Sequence, residues 1–215
     1  MKKLILMFGI FLLVRQADAQ YYLTPVKLDD KVSVSMPKEF RKTNANGQGI
    51  LLANGQYGSM MVITSANPTA AKTVKNPNGL DNVFKDYVKN VQKSLPAGTI
   101  INDHDTTIGK LVARDFILQV DTGSGTQSRH FIMLYTKSTS YTFEYLYDDF
   151  RKNYAMGEMK AFLGSINVSP ELTYADQYMI VARSLPVVRI IIIAGIAFVI
   201  IGLVVFYRRR PKLVA

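Results

Sequence analysis

Two histidines and their acidic neighbours are the residues of this sequence best suited to chemistry. The first stands in Asp103-His104-Asp105, whose carboxylate oxygens and imidazole nitrogens are ligand types that divalent metals accept. In an extended strand, however, Asp103 and Asp105 point to one face of the sheet and His104 to the other. Because the three side chains cannot converge without a turn, we expect a solvated strand start here, with a metal site as the alternative.

The remaining polar motifs do not form a catalytic set. His130 lies between Arg129 and Phe131, so a surface or hydrogen-bonded histidine is expected there and not a general base. Asp148 and Asp149 are adjacent, which on a helix separates them by about 100 degrees and suits capping better than acid/base work. The sequence lacks the Gly-x-Ser-x-Gly elbow, the dinucleotide fingerprint and the phosphate loop. We therefore expect no enzyme, assign no catalytic or metal residue and expect no cofactor, and leave a hydrolase built from scattered residues as a remote alternative.

An aromatic ladder is the more suggestive feature. Tyr141, Phe143, Tyr145 and Tyr147 alternate along one predicted strand, so all four side chains face the same side. One interpretation places them in the core beneath a helix, where aromatic neighbours stabilise a sheet. The other makes them an exposed platform for a partner protein or carbohydrate, because tyrosines are enriched at contact surfaces.

A loop between residues 66 and 79 offers a second candidate contact surface. Its composition turns to Asn, Pro, Thr and Lys, which is typical of an exposed connection. Lys72 and Lys75 would supply positive charge to a partner there. A solvated loop without a partner is the alternative interpretation.

The elements that position these residues begin with short strands. Two candidates lie between Tyr21 and Met36, and the runs Gln48 to Ala53 and Tyr57 to Ser65 predict a hairpin. Asn54-Gly55 between those runs predicts a tight turn with two positive φ angles. A helix follows the exposed loop, because apolar residues recur there at spacings of three and four: Leu80, Val83, Phe84, Tyr87, Val88, Val91 and Leu95.

The second half of the domain predicts an antiparallel meander closed by a helix. Short connections separate four extended runs, and a parallel return would need a dozen or more residues. The runs are Thr99 to Ile108, Lys110 to Val120, Gln127 to Thr136 and Tyr141 to Tyr147. Asp148 to Ser165 predicts a second helix, with core contacts from Phe150, Tyr154, Phe162 and Leu163. The expected fold class is α+β, an antiparallel sheet covered by helices, with one C-terminal transmembrane helix.

This order of elements resembles the PsbP/DcrB-like domain over about residues 21 to 168. The likeness is carried by an extended start closing on Met36-Pro37, the hairpin, the long loop, the helix around Val83 to Leu95, the strand with Gly98-Thr-Ile-Ile-Asn-Asp103, the Gly109 bend, and the closing Phe162-Leu-Gly-Ser-Ile166. The resemblance implies a small α/β/α sandwich, often exported or membrane-associated. Members characterised as photosystem extrinsic subunits or as a nuclear import cofactor act by binding proteins, without a shared catalytic site. No catalytic residue is therefore carried over.

The two ends of the chain indicate export and anchoring. Residues 1 to 19 combine Lys2 and Lys3, an apolar run and Ala17-Asp18-Ala19, the three parts of a signal peptide cleaved after Ala19. An uncleaved signal anchor is the alternative. Ile190 to Tyr207 carry no charge, and a helix of that length spans about 27 Å, close to the roughly 30 Å of a bilayer core. A buried core helix and a sorting signal that is removed are the alternatives for this segment.

The net charge of +10 mostly encodes topology and does not predict nucleic-acid binding. Lys and Arg favour the cytoplasmic side of a membrane, and basic residues flank the apolar run: Arg189, Arg208, Arg209, Arg210 and Lys212. The chain has no cysteine, which excludes disulfides, catalytic thiols and Cys-based metal sites.

The sequence thus predicts a signal peptide (1–19), an extracytoplasmic domain (20–168), a linker (169–187) with a helix after Ser169, a transmembrane helix (188–207) and a cytoplasmic basic tail (208–215). It predicts a single-pass protein of the cell membrane, periplasmic if the cell is Gram-negative. The expected function is a non-catalytic interaction or accessory module of the cell envelope. Its expected partners are the lipid bilayer and a membrane or envelope protein. A small-ligand or metal-binding protein is the alternative.

Overall fold

The computed structural model describes residues 22–67 and 74–179. The predicted leader, span and basic tail lie outside these ranges, as does Lys72. Within them the chain forms ten strands, two α-helices and two short 3₁₀ helices at Asp149–Arg151 and Tyr174–Asp176. The main elements are β1 (Leu23–Lys27), β2 (Val32–Pro37), β3 (Arg41–Ala45), β4 (Gln48–Asn54), β5 (Ser59–Ala66), α1 (Pro77–Ser94), β6 (Gly98–Ile108), β7 (Leu111–Asp121), β8 (Thr126–Tyr135), β9 (Thr139–Asp148), α2 (Lys152–Gly164) and β10 (Asn167–Val168).

Seven strands form one large sheet in the order β3-β4-β5-β9-β8-β7-β6, and every neighbouring pair is antiparallel. The predicted meander is its continuous part, β6 to β9. The strands near the N-terminus pair differently from the expectation of one sheet, because β1, β2 and β10 form a separate three-stranded sheet. The expected mixed fold with antiparallel strands and two helices is confirmed at this coarser level.

The two faces of the large sheet are covered by different layers. Helix α1 lies on one face, where Leu80, Phe84 and Val88 pack on apolar side chains of β7 and β8. Helix α2 and the small sheet lie on the other face, around Phe162, Val34 and the aromatic residues of β9. Burial of these apolar side chains, each giving about 1.5 to 3 kcal/mol, is the main source of stability.

The prediction of a tight turn at Asn54-Gly55 is wrong. The two-residue turn with positive φ angles lies one hairpin earlier, at Asn46 (φ 53°) and Gly47 (φ 76°), between β3 and β4. The β4–β5 connection is longer, with Gly55 donating its N–H to the Gly58 carbonyl at 2.7 Å. Strand β3 had no prediction because its five residues, four of them polar, are all exposed and lack the alternating apolar pattern.

Two expectations near the second helix also need correction. Phe150 and Tyr154 are 77 and 65 % exposed, whereas Phe162 and Leu163 are buried as predicted. Phe150 lies in the 3₁₀ turn before α2, which rotates its side chain away from the sheet. No α-helix follows Ser169 in the described part of the chain. Instead, the Tyr174–Asp176 turn begins with a capping box. The Thr173 hydroxyl accepts from the Ala175 N–H, and the Asp176 carboxylate accepts from the Thr173 N–H.

The segment predicted as a linker packs against the domain as far as Met179, whose N–H donates to the Val74 carbonyl at 2.9 Å. Within this segment, Gln177 is fully buried. Its side-chain oxygen accepts from the Val112 N–H at 2.9 Å, and its amide donates to the carbonyls of Val112 and Tyr135. The amide thus bridges β7 and β8 just beyond their last described pair, Ala113 and Leu134. Across residues 22–67 and 74–179, no helix has the length and apolar character needed to cross a bilayer.

Candidate functional site

The helix α1 face of the large sheet is covered on one half and open on the other. Cross-strand pairing places Leu52, Met61, Glu144 and Phe131 in one row, and paired residues face the same side. Phe131 is buried under α1, whereas Leu52 is 41 % exposed. We call the half beyond α1 the open sheet face: Ile50, Leu52, Met61, Ile63 and Leu146, all half-buried or exposed.

A cleft of about 560 Å³ lies on the open sheet face. Such a volume is typical of ligand sites, which occupy roughly 300 to 1,000 Å³. Leu52, Met61 and Leu146 provide an apolar floor. Charged and polar side chains complete the lining: Glu39, Arg41, Asn54, Ser59, Arg129 and Glu144.

Glu144 is the least expected residue of this cleft. It lies on β9 between two ladder aromatics and is only 4 % exposed, yet no hydrogen bond joins its carboxylate to another described residue. Its nearest cation is Arg129, whose Nη1 lies 3.5 Å from Oε1. Burial raises the pKa of Glu144 above its ordinary value, and the positive charge of Arg129 opposes the shift.

Arg129 is itself incompletely paired. Its Nε is buried and has no hydrogen-bond partner among the described residues. One row along β9, the Thr142 hydroxyl donates to the Tyr87 oxygen of α1 at 3.0 Å. Burial is the main cause that raises the pKa of Tyr87 to about 12, so Tyr87 stays neutral near Glu144. Two charged groups with unmet hydrogen-bonding capacity therefore lie in a cleft that is large enough for a ligand.

The aromatic ladder lies on the opposite face and is buried. Tyr141, Phe143, Tyr145 and Tyr147 range from 0 to 5 % exposed and pack with α2 and the small sheet. Their burial corrects the platform hypothesis, because four rings inside the core present no surface to a partner. Period-two alternation identified their shared face, but it could not tell which face a helix covers.

The Asp103-His104-Asp105 motif is held by an arginine. Arg114 donates from Nε and Nη2 to the two oxygens of Asp103 at 2.5 and 2.8 Å, and from Nη1 to Asp105 at 2.8 Å. The Asp103 hydrogen bond is the main cause that raises the pKa of Arg114. His104 contacts the Asn102 carbonyl through Nδ1, beside an irregularity where Asn102 has a φ of 52°. Among the described residues, no group of three acidic, histidine or cysteine side chains is placed to hold a metal.

His130 is hydrogen-bonded, as its sequence context suggested. Its Nε2 lies 2.7 Å from Asp115 Oδ1 and its Nδ1 lies 3.2 Å from the Met159 sulfur. Asp149 accepts from the Ser128 hydroxyl at 2.6 Å, and Asp148 accepts from the Gln127 amide. Neither carboxylate caps a helix through its side chain.

The remaining predicted contact residues are only partly described. Lys75 is exposed immediately before Asn76, the N-cap of α1. The topology residues Arg189, Arg208, Arg209, Arg210 and Lys212 lie outside the described ranges. Glu144 and Arg41 had no prediction, although Glu144 is the one charged residue among the ladder aromatics and could have been noticed for that reason.

Comparison with solved structures identifies the architecture. The solution structure of cyanobacterial PsbP (CyanoP) from Synechocystis sp. PCC 6803 is similar with a TM-score of 0.53 and 14 % sequence identity, over 68 % of this chain and 92 % of that one. The fold is PsbP-like. The resemblance inferred from the order of elements is thereby confirmed at the level of fold.

A second solved structure is less similar to this protein than CyanoP is. LpqN of Mycobacterium tuberculosis, a protein involved in cell envelope biogenesis, has a TM-score of 0.46 and 12 % identity over 70 % of this chain and 92 % of its own. No protein-family model and no curated protein sequence matches the chain.

Proposed function

We propose that this protein is a membrane-anchored extracytoplasmic module that binds a membrane or envelope protein and performs no catalysis. The observation that carries the proposal is the open sheet face, where exposed Leu52 adjoins a cleft of about 560 Å³ with buried Glu144 at its base. Apolar side chains beside a charged recess match the usual anatomy of a protein contact surface. The leader-like residues 1–19 and the uncharged run 190–207 support its position at a membrane.

The strand at the edge of the open sheet face supports a protein partner. All five residues of β3 are exposed, and β3 is an edge strand of the large sheet. Edge strands offer unpaired backbone N–H and C=O groups that an extended segment of another protein can pair with. Arg41 belongs both to β3 and to the cleft lining, so the backbone edge and the recess are continuous.

Site-specific photocrosslinking in native membranes tests this function. A photoreactive amino acid at position 52 is expected to capture one reproducible membrane or envelope protein. The matched control carries the same amino acid at Thr107, an exposed residue on the opposite edge strand β6, and is expected to capture none. Equal capture from both positions, or no specific product from position 52, would contradict the proposal.

A small-ligand-binding function is the second candidate, favoured by the volume of the cleft. It predicts that a soluble compound raises the melting temperature of the full chain and that substitution of Glu144 abolishes the rise. A protein partner predicts a crosslink from position 52 that no small compound displaces. The two functions are therefore separated by a thermal-shift screen run beside the crosslinking experiment.

A further inference from the structure

We infer that the cleft around Glu144 recognises a single basic side chain, lysine or arginine, carried by an extended segment of the partner protein. This inference rests on the proposed function, because it names the group that the binding surface accepts. It assigns Glu144 as the residue that determines specificity.

Glu144 has hydrogen-bonding capacity that its neighbours do not meet. An ionised carboxylate has about four acceptor positions, yet no described residue donates a hydrogen bond to this one, and Arg129 Nη1 stands off at 3.5 Å. The side chain is 6 % exposed and lines the cleft, so water reaches it only from that side. A largely buried carboxylate with few hydrogen-bond donors is held at an energetic cost. A donor entering the cleft would remove that cost.

The charges that line the cleft favour a cationic ligand over an anionic one. An anionic group would meet the negative carboxylates of Glu144 and Glu39, which both line the cleft. The nearest cation, Arg129, already directs Nη1 at Glu144 Oε1 at 3.5 Å, and its Nε is buried out of reach of a ligand. An ammonium or guanidinium group instead gains charge-assisted hydrogen bonds to Glu144, which are about twice as strong as neutral ones. Arg41 is exposed on the edge strand, so its long side chain can turn toward water when a second cation enters.

The surroundings of Glu144 suit a cation that is carried by a peptide side chain. Lysine and arginine carry a hydrocarbon stem that packs on apolar surface while the charged end reaches a polar group. Leu52, Met61 and Leu146 provide such a surface directly beside Glu144. The exposed edge of β3 can pair with the backbone that carries the side chain. A free polyamine lacks that backbone and gains nothing from β3.

Methyl NMR on the full chain in lipid nanodiscs tests the inference, with methionine methyl groups labelled and Met61 as the reporter in the cleft. The probes are the blocked tripeptides acetyl-Gly-Lys-Gly-amide, its norleucine analogue and its glutamate analogue. We expect a saturable shift of Met61 with the lysine peptide and none with the other two. Glu144→Gln, which is nearly isosteric, is expected to weaken lysine-peptide binding at least fivefold. The matched control Glu171→Gln changes an exposed carboxylate in the turn after β10 and should leave binding unchanged.

A second variant guards against a folding defect in Glu144→Gln. Leu52→Lys places the chain's own ammonium group beside the cleft, so it is expected to block the lysine probe while preserving Glu144. Equal shifts with lysine and norleucine peptides, or unchanged binding in both variants, would overturn the inference. If position 52 crosslinks a specific protein whose capture survives Glu144→Gln, the proposed function stands and this inference fails. If the lysine probe binds through Glu144 but position 52 captures nothing, the cation site stands and the protein-binding function fails.

Discussion

The Tyr145 hydroxyl donates a hydrogen bond to Oε2 of Glu158 at 2.6 Å, joining β9 to helix α2 inside the core. The same carboxylate accepts from the backbone N–H groups of Gln56 at 2.7 Å and Tyr57 at 3.0 Å. One buried acid therefore holds the β4–β5 loop, the aromatic ladder and α2 together. This explains why the loop is longer than the tight turn that Asn54-Gly55 suggested.

Replacing Tyr145 tests its position in the core. Tyr145→Ala is expected to lower the free energy of unfolding by about 3 to 5 kcal/mol, because it removes a fully buried ring. Tyr145→Phe keeps the ring and loses the hydroxyl contact with Glu158, so about 1 to 2 kcal/mol is expected. Urea unfolding measures both values. A stable Tyr145→Ala protein that has lost its partner would instead restore the platform hypothesis for the ladder.

Arg114 is expected to act as a structural clamp for Asp103 and Asp105. Arg114→Leu removes three hydrogen bonds from a buried guanidinium and leaves two carboxylates without the cation that they share. We expect a loss of about 2 kcal/mol, which is below the value for fully buried pairs because both carboxylates are partly exposed. The control Asp105→Asn should cost less than about 1 kcal/mol. Equal stability of Arg114→Leu and the wild type in urea unfolding would show that the clamp is dispensable.

Gln177 is expected to fix the C-terminal segment to the sheet. Gln177→Ala removes three hydrogen bonds to Val112 and Tyr135, at a cost of about 1 to 3 kcal/mol. The Val112 amide loses its acceptor, so its hydrogen exchange should accelerate. An exposed neighbour gives the control, since Met179→Ala should leave that amide protected. Unchanged exchange at Val112 in Gln177→Ala would contradict the assigned contact.

The stability of the protein should depend on the protonation of Glu144. Because burial raises its pKa above the ordinary 4.5, the folded protein binds this proton more tightly than the unfolded chain. Its contribution to stability is fully present below the ordinary value and is lost as pH rises through the folded pKa. Glu144→Gln stays neutral, so its stability relative to wild type should increase from acidic to neutral pH.

Urea unfolding across that pH range measures this difference. The charged groups around Glu144 are Arg129 from β8 and Glu39 and Arg41 in the cleft lining. Tyr87 from α1 stays neutral because burial raises its pKa to about 12. The control Glu39→Gln shows how much the other carboxylate of the cleft contributes to the pH dependence of stability. A stability difference that is flat, or that decreases with pH, would contradict the raised pKa of Glu144.

Local sequence patterns predicted the elements that bury apolar side chains on one face or along their whole length. Helix α1 follows from apolar residues at spacings of three and four, and β6 to β9 follow from extended runs with short connections. Strand β3 escaped prediction because none of its side chains is buried. Gln177 escaped because a polar side chain that replaces a ladder hydrogen bond leaves no apolar signal in the sequence.

The candidate site was less predictable because it depends on which half of the sheet α1 covers. Glu144 is buried by neighbours from β5 and β8, residues far away in the sequence. The ladder pattern placed Tyr145 and its neighbours on one face and hence Glu144 on the other. The sequence alone did not show which face of the sheet is exposed. The functional hypothesis was therefore placed on the aromatic face, whereas the cleft lies on the open sheet face.

Photocrosslinking from position 52 in native membranes, with and without Glu144→Gln, tests the central claim most directly. We expect position 52 to capture one reproducible membrane or envelope protein and position 107 to capture no such product. Capture from position 52 should fall markedly when Glu144 is replaced. Capture that is equally strong from Thr107, or absent from position 52 in a folded and membrane-inserted protein, would contradict the assignment of the open sheet face as the binding surface.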